Sequence, residues 1–318
     1  MKPLSLLIVV LGMSSAAVAA SEEDVAPAQN VRIDVPLQAH AIGGEYLLPA
    51  DPGEDRRRSI RLSRNPVFAT PVPRVNGTGL MLRNRLHAPV TIDIEAAHFA
   101  NAKLASALAP RITLAPLESR EVVLVQGVSL TSTGSADFTL HTTVGRPDTK
   151  PDRDHIYAWP LAESRRSRIT QVYGGPTHNE EFSQFAIDIA AREGTPVVAA
   201  RAGVVIFLED RFFESGLNRA DFRDKANHVR ILHDDGSMAT YAHLAPDSVN
   251  LVPGQRVAVG DEIGRSGNTG FSSGPHLHFA ILVNRDMKIV SIPFRMDGVK
   301  LPNRGRLTAP SGAASPCA

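Results

Sequence analysis

The chain has 318 residues, with 34 Lys and Arg against 33 Asp and Glu and a formal net charge of +1. That balance gives no electrostatic reason to expect a nucleic-acid partner, whose phosphates call for a basic excess. The single cysteine, Cys317, excludes an internal disulfide, so the chain must fold on apolar cores alone, and its length suits two domains of ordinary size.

The start, MKPLSLLIVVLGMSSAAVAASEED, sets one lysine before an apolar run, then small residues to Ala19 or Ala20, then acids. This order predicts a secretory signal peptide over residues 1–20, because the apolar run is short for a membrane span and ends at an A-x-A-type cleavage site. No cysteine follows it to take a lipid, and no later stretch is long and apolar enough to cross a bilayer. The expected location is periplasmic or secreted.

Residues 28–144 read as short strands between turns. VTIDI at 90–94 alternates, and EVVLV at 121–125 and DFTLHTT at 137–143 are rich in β-branched or aliphatic residues. The layout predicts a β-sandwich, immunoglobulin-like in size but without the Cys…Trp…Cys signature, and nothing in it names a ligand. His40, His87, His98 and His141 are scattered there without ligand spacing and read as structural or surface residues. Asn76-Gly77-Thr78 fits a glycosylation sequon and reads better as a turn. The runs Arg56-Arg57-Arg58 and Ser164-Arg165-Arg166-Ser167-Arg168 read as solvated loops.

Residues 145–155, beginning GRPDTKPDRD, have the Pro- and charge-rich composition of a linker. A second domain is expected over 156–300, again strand and turn, before a Gly/Ala/Ser/Pro tail at 301–318. HVRILHDDGSMATYAHL, 228–244, reads as a β-hairpin turning at Asp234-Asp235-Gly236. Helical period shows only around Arg219 to Ala226. The predicted fold class is therefore mainly β throughout, a sandwich followed by an antiparallel domain with an open groove.

Within that second domain, GPHLHFAI at 274–281 places His276 and His278 on one face of a strand and Leu277 and Phe279 on the other. Such a dyad suits a metal ligand beside a proton carrier, two ligands, or two solvent-facing polar groups. Asp188, between Ile187 and Ile189, is a carboxylate that burial penalises unless a cation or hydrogen bonds meet it. Period two also places Ala239, Tyr241 and His243 on one face of the hairpin arm, and His178 follows a Gly-rich stretch, GGPTH. His228 and His233, bracketing VRIL, are not read as ligands. Catalytic zinc takes three protein ligands from His and carboxylate, keeps a position for water, and can work beside an unligated imidazole.

GTPVVAARAGVV, ANHVRILHDDGSMATYAHL and GRSGNTGFSSGPHLHF, in that order, resemble the lysostaphin/LytM family of zinc metallopeptidases, peptidase family M23, over roughly Tyr157 to Ile292. The resemblance implies Zn2+ as cofactor, Asp188 and His278 as ligands, and His243 and His276 as the acid/base and oxyanion-stabilising pair. It implies peptide cross-links of bacterial peptidoglycan as substrate. One position departs: four residues before Asp188 the family has His, and here stands Gln184, a weaker zinc partner. The stretch QVYGGPTHNEEFSQFAIDIA resembles a subgroup with the His further upstream, which makes His178 the preferred third ligand, carried in on a bend at Gly174 and Gly175. The rival reading is a metal-free scaffold of the same fold that binds the wall or activates a separate amidase.

Overall fold

The computed structural model describes residues 28–35, 65–129, 131–162 and 168–302. The expected signal peptide, His40, the run at Arg56, Cys317 and most of the tail lie outside the described residues.

Eight strands build the N-terminal sandwich: β1 (Gln29–Val35), β2 (Val67–Arg74), β3 (Gly77–Asn84), β4 (Val90–Ala100), β5 (Ala102–Leu104), β6 (Arg111–Leu114), β7 (Ser119–Gly127) and β8 (Gly134–Val144). They form two four-stranded antiparallel sheets, ordered β1-β8-β4-β6 and β2-β3-β7-β5. The alternation seen in the sequence sets the inner faces: Val90, Ile92 and Ile94 of β4 and Ala136, Phe138 and Leu140 of β8 are buried together with Leu80, Leu82 and Val125. Pro71 and Pro73 lie in β2, an edge strand, where a missing N–H costs no ladder bond. Val75-Asn76 makes the β2–β3 turn, and Gly77 begins β3.

The second domain centres on an eight-stranded sheet. Its strands are β10 (Ile169–Gln171), β11 (Ile187–Ala190), β13 (Gly203–Glu209), β15 (His228–Leu232), β16 (Met238–Ala242), β17 (Arg256–Val257), β20 (His276–Arg285) and β21 (Lys288–Ile292). They run in the order β10-β11-β20-β16-β15-β13-β17, with β21 also on β20. Three two-stranded ribbons complete it: β9 (Ile156–Tyr157) with β22 (Arg295–Met296), β12 (Pro196–Val198) with β18 (Glu262–Arg265), and β14 (Ser215–Gly216) with β19 (Gly270–Phe271). Helix α1 (Arg219–Phe222) is a single turn, and among the described residues no helix is long and apolar enough to cross a membrane.

Strand β20 explains how the domains meet. Leu277, Phe279, Ile281 and Val283 enter the core of the second domain, beside Ile187, Ile189 and Tyr241. The other face begins with His276 and His278, and further along the same face Ala280 and Leu282 join Phe207 and Met238 in one apolar cluster with the sandwich core. Polar contacts close the seam. Gly145 O accepts from Thr91 Oγ1 at 2.8 Å and from Asn284 Nδ2 at 3.0 Å, and Thr143 Oγ1 donates to Met287 O at 2.9 Å. The linker-like stretch is thus held at its first residue, and again where Asp152 N donates to Asp235 Oδ2 at 2.9 Å.

Candidate metal centre

The antiparallel pairing of β11 with β20 sets Asp188 opposite His278 and Ala190 opposite His276. Because Ile187, Ile189, Leu277 and Phe279 all face the core, alternation puts the carboxylate and both imidazoles on the groove side. His278 Nδ1 lies 2.9 Å from Asp188 Oδ1, and His276 Nε2 lies 3.8 Å from the same oxygen.

His178 reaches this cluster from the loop after β10. Gly174 adopts a left-handed φ of +66° and donates its N–H to Gln184 O at 2.8 Å, which folds the loop back on itself. The His178 ring is buried, with Nε2 3.2 Å from Asp188 Oδ1 and Nδ1 3.2 Å from Val172 O. Gln184 engages the loop through its backbone and does not line the groove.

One candidate ligand atom each from His178, Asp188 and His278 lies within 4.8 Å of the other two. Burial opposes ionisation of Asp188, and hydrogen bonds from His178 and His278 outweigh it, holding the carboxyl well below its usual range. Burial also pushes the His278 imidazolium down in pKa against the pull of Asp188.

The donor chemistry fits a cation. Val172 O can only accept, so Nδ1 of His178 carries hydrogen there and Nε2 faces a carboxylate oxygen. That approach needs a proton or a metal ion between the two atoms, and zinc binding displaces such protons. Two imidazole nitrogens and one carboxylate oxygen match the donor sets, two histidines and a carboxylate, found at catalytic zinc.

His243 and His276 form a second pair, their ring centroids 4.5 Å apart. His243 Nδ1 donates to Thr269 O at 2.7 Å and His276 Nδ1 to Gly274 O at 2.8 Å, so each ring keeps Nε2 as its remaining proton acceptor. Burial, then the neighbouring His276 and His278, push His243 down to about 3, which keeps it neutral.

The face assignment on the hairpin arm needs correction. Tyr241 is fully buried in the core, its hydroxyl accepting from Ala200 N at 2.8 Å, and it does not share a face with His243. The strand ends at Ala242, and His243 takes φ +63°. That left-handed residue breaks period two and turns the imidazole onto the Thr240–Ala242 side, where it lines the groove.

His243 is held by a network around Thr269 and Asn227. Thr269 Oγ1 accepts from Asn227 N at 3.0 Å and donates to Leu244 O at 2.9 Å, while the Asn227 side chain bonds both Phe212 N and Phe212 O. Gly270 follows at φ +76°, with no room for a Cβ because Ala226 N would lie 2.6 Å from it. His228, read as bland, also lines the groove, its ring stacked on Phe207 at 4.8 Å. The groove encloses about 560 Å³ and is lined by second-domain residues between Thr170 and Leu282.

Residues 183–289 match the family model for peptidase family M23. The chain is 35% identical over 96 residues to the peptidoglycan DD-endopeptidase ShyA of Vibrio cholerae, covering 30% of this chain and 19% of that protein. It is 37% identical over 98 residues to the DD-carboxypeptidase/endopeptidase Mpg of Neisseria meningitidis, covering 31% and 20%. The chain thus spans about a fifth of the length of these curated relatives. Among solved structures, the catalytic domain of lysostaphin from Staphylococcus simulans is similar at 27% identity and a TM-score of 0.27, covering 37% of this chain and 81% of that one.

Proposed function

Residues 183–289 belong to peptidase family M23, and on that premise we propose that the chain is an exported zinc endopeptidase that hydrolyses peptide cross-links of bacterial peptidoglycan. The observation carrying this reading is the convergence of His178, Asp188 and His278 beside the His243–His276 pair on one groove wall. In this reading residues 1–20 are a cleaved signal peptide, 28–144 a sandwich of separate role, 145–155 the joint and 156–300 the peptidase, with 301–318 as a tail. The protein works in the periplasm or beyond the cell, where its substrate lies.

His178, Asp188 and His278 would hold the ion. Bound zinc supplies a Lewis acid for the scissile carbonyl and a water acidified to near neutrality. The remaining work falls to side chains. With Nδ1 tied to a backbone carbonyl, His276 or His243 takes up a proton at Nε2 from the attacking water and passes it to the leaving amine. The ring that carries the proton also donates to the oxygen on which negative charge develops, and oxyanion donors of this kind are worth about 3–4 kcal/mol each. The neutral resting imidazole of His243 suits both tasks.

The test pairs metal analysis of purified protein with release of soluble fragments from isolated peptidoglycan. Stoichiometric zinc and chelator-sensitive release support the reading. A protein that binds wall, holds no metal and releases nothing would instead be the scaffold that Gln184 in the usual ligand slot suggests.

A further inference from the structure

Charge along the groove is uneven. Asp188 is the one carboxylate on the described lining and is committed to the histidine cluster, whereas Arg219, Arg223 and Arg230 all line the same groove. Arg219 is held on two sides. Its Nη2 pairs with the buried carboxylate of Glu180, which Arg223 also meets at 3.1 Å. Its guanidinium carbon sits over the Phe271 ring at 5.4 Å. Its Nε is shielded from solvent without a hydrogen-bond partner. Among the described residues its Nη1 makes no hydrogen bond either, and a third of the side chain (34%) remains exposed.

A guanidinium anchored along one edge and backed on one face has little orientational entropy left to lose. Its uncommitted Nη1 suits a planar anion, and a carboxylate matches the Nη1–Nη2 edge in a way that an ammonium or a neutral amide cannot. The exposed Leu217 and the half-buried Phe271 flank it with apolar surface, as a peptide side chain needs and a phosphate does not. We propose that Arg219 reads a free carboxylate on the peptide bound in the groove, so that the site selects anionic over amidated peptides. This rests on the peptidase reading only for the identity of the groove's occupant.

A peptide of the cross-link type offers such a group at a side chain or at its C-terminus. Synthetic branched peptides are therefore made in four forms, each carboxylate free or amidated. Binding to zinc-supplemented full-length protein is measured by calorimetry, and cleavage as kcat/KM. Wild type is expected to favour the free form about tenfold, as for one charge-assisted pair. The single amidation that removes the preference identifies the carboxylate. Arg219→Gln should bring the forms to parity, and Arg219→Lys should keep part of the preference, since it keeps the charge but not the fork. Unchanged thermal melting of both variants secures the comparison.

Indifference of the wild type to both amidations overturns the proposal, as does Arg219→Gln weakening free and amidated forms equally. Binding preference without cleavage of any form would sink the peptidase reading and leave the assignment of Arg219 standing. Equal binding and equal cleavage of all four forms would do the reverse.

Discussion

His233 lies at the far end of the hairpin from the metal cluster, 3% exposed, and its environment makes acid stability calculable. Its Nδ1 donates to Ala202 O at 2.9 Å, its Nε2 is buried without a partner, and the ion-paired Arg201 is close enough to disfavour a second positive charge. Burial first, then Arg201, lower its pKa from 6.5 to about 4. A depressed histidine pKa means that the unfolded chain takes up the proton first. Stability is therefore full above pH 6.5, falls as pH drops toward 4, and is level below that. The whole window is worth about 3.4 kcal/mol at 1.36 kcal/mol per pH unit, and about 2.5 kcal/mol is spent by pH 4.5. His233→Asn keeps an N–H for Ala202 and does not titrate. The single tryptophan, Trp159, packs against the second-domain core and reports unfolding by fluorescence in urea with chelator present. The stability advantage of wild type over the variant should shrink by about 2.5 kcal/mol between pH 7.5 and pH 4.5. Asp235, held at about 2 by hydrogen bonds that outweigh its burial, contributes its own loss only at lower pH. Parallel curves for the two proteins across that range would show that His233 is not kept neutral by its surroundings, and the reasoning would fail.

Other perturbations address the site and the seam. His178→Ala should abolish zinc retention while Gln184→Ala only weakens activity, since Gln184 does not line the groove; full zinc retention in His178→Ala, read by metal analysis, would remove it from the ligand set. Gly270→Ala forces a side chain into a left-handed φ against the Ala226 backbone. It should cost more than about 1 kcal/mol in urea unfolding and lower kcat beyond that loss, because the adjacent Thr269 orients His243. Asn284→Ala removes donors and acceptors at a fully buried seam and should cost about 1–3 kcal/mol. Both domains should then unfold together, with Trp159 fluorescence and far-ultraviolet circular dichroism giving coincident transitions.

Much of the site could be read from periodicity. His276, His278 and Asp188 sit on strands whose alternate residues are plainly apolar, so burial of Ile187, Ile189, Leu277 and Phe279 fixes where the polar groups must point. The hairpin was equally plain, since Asp234-Asp235-Gly236 separates two alternating runs. Period two puts His243 on the wrong face because it holds only while φ stays negative, and nothing in TYAHL announces a left-handed histidine. The joint read as a linker because composition reports local preference, whereas Gly145 is held by partners 54 and 139 residues away in sequence. Arg219 stood out in no motif: its setting depends on Glu180 and Phe271, brought together only by the fold.

Because one face of β20 carries the histidines at its start and the sandwich-covered Ala280 and Leu282 beyond them, the groove-bearing half is not a detachable cassette. Cutting the chain at the proline-rich joint would strip the cover from Phe207, Met238, Ala280 and Leu282 and present a greasy, aggregation-prone flank to water. A sluggish or insoluble fragment would then report that exposed flank rather than any defect in the chemistry, and whole-length protein is the fair vehicle for assaying the groove.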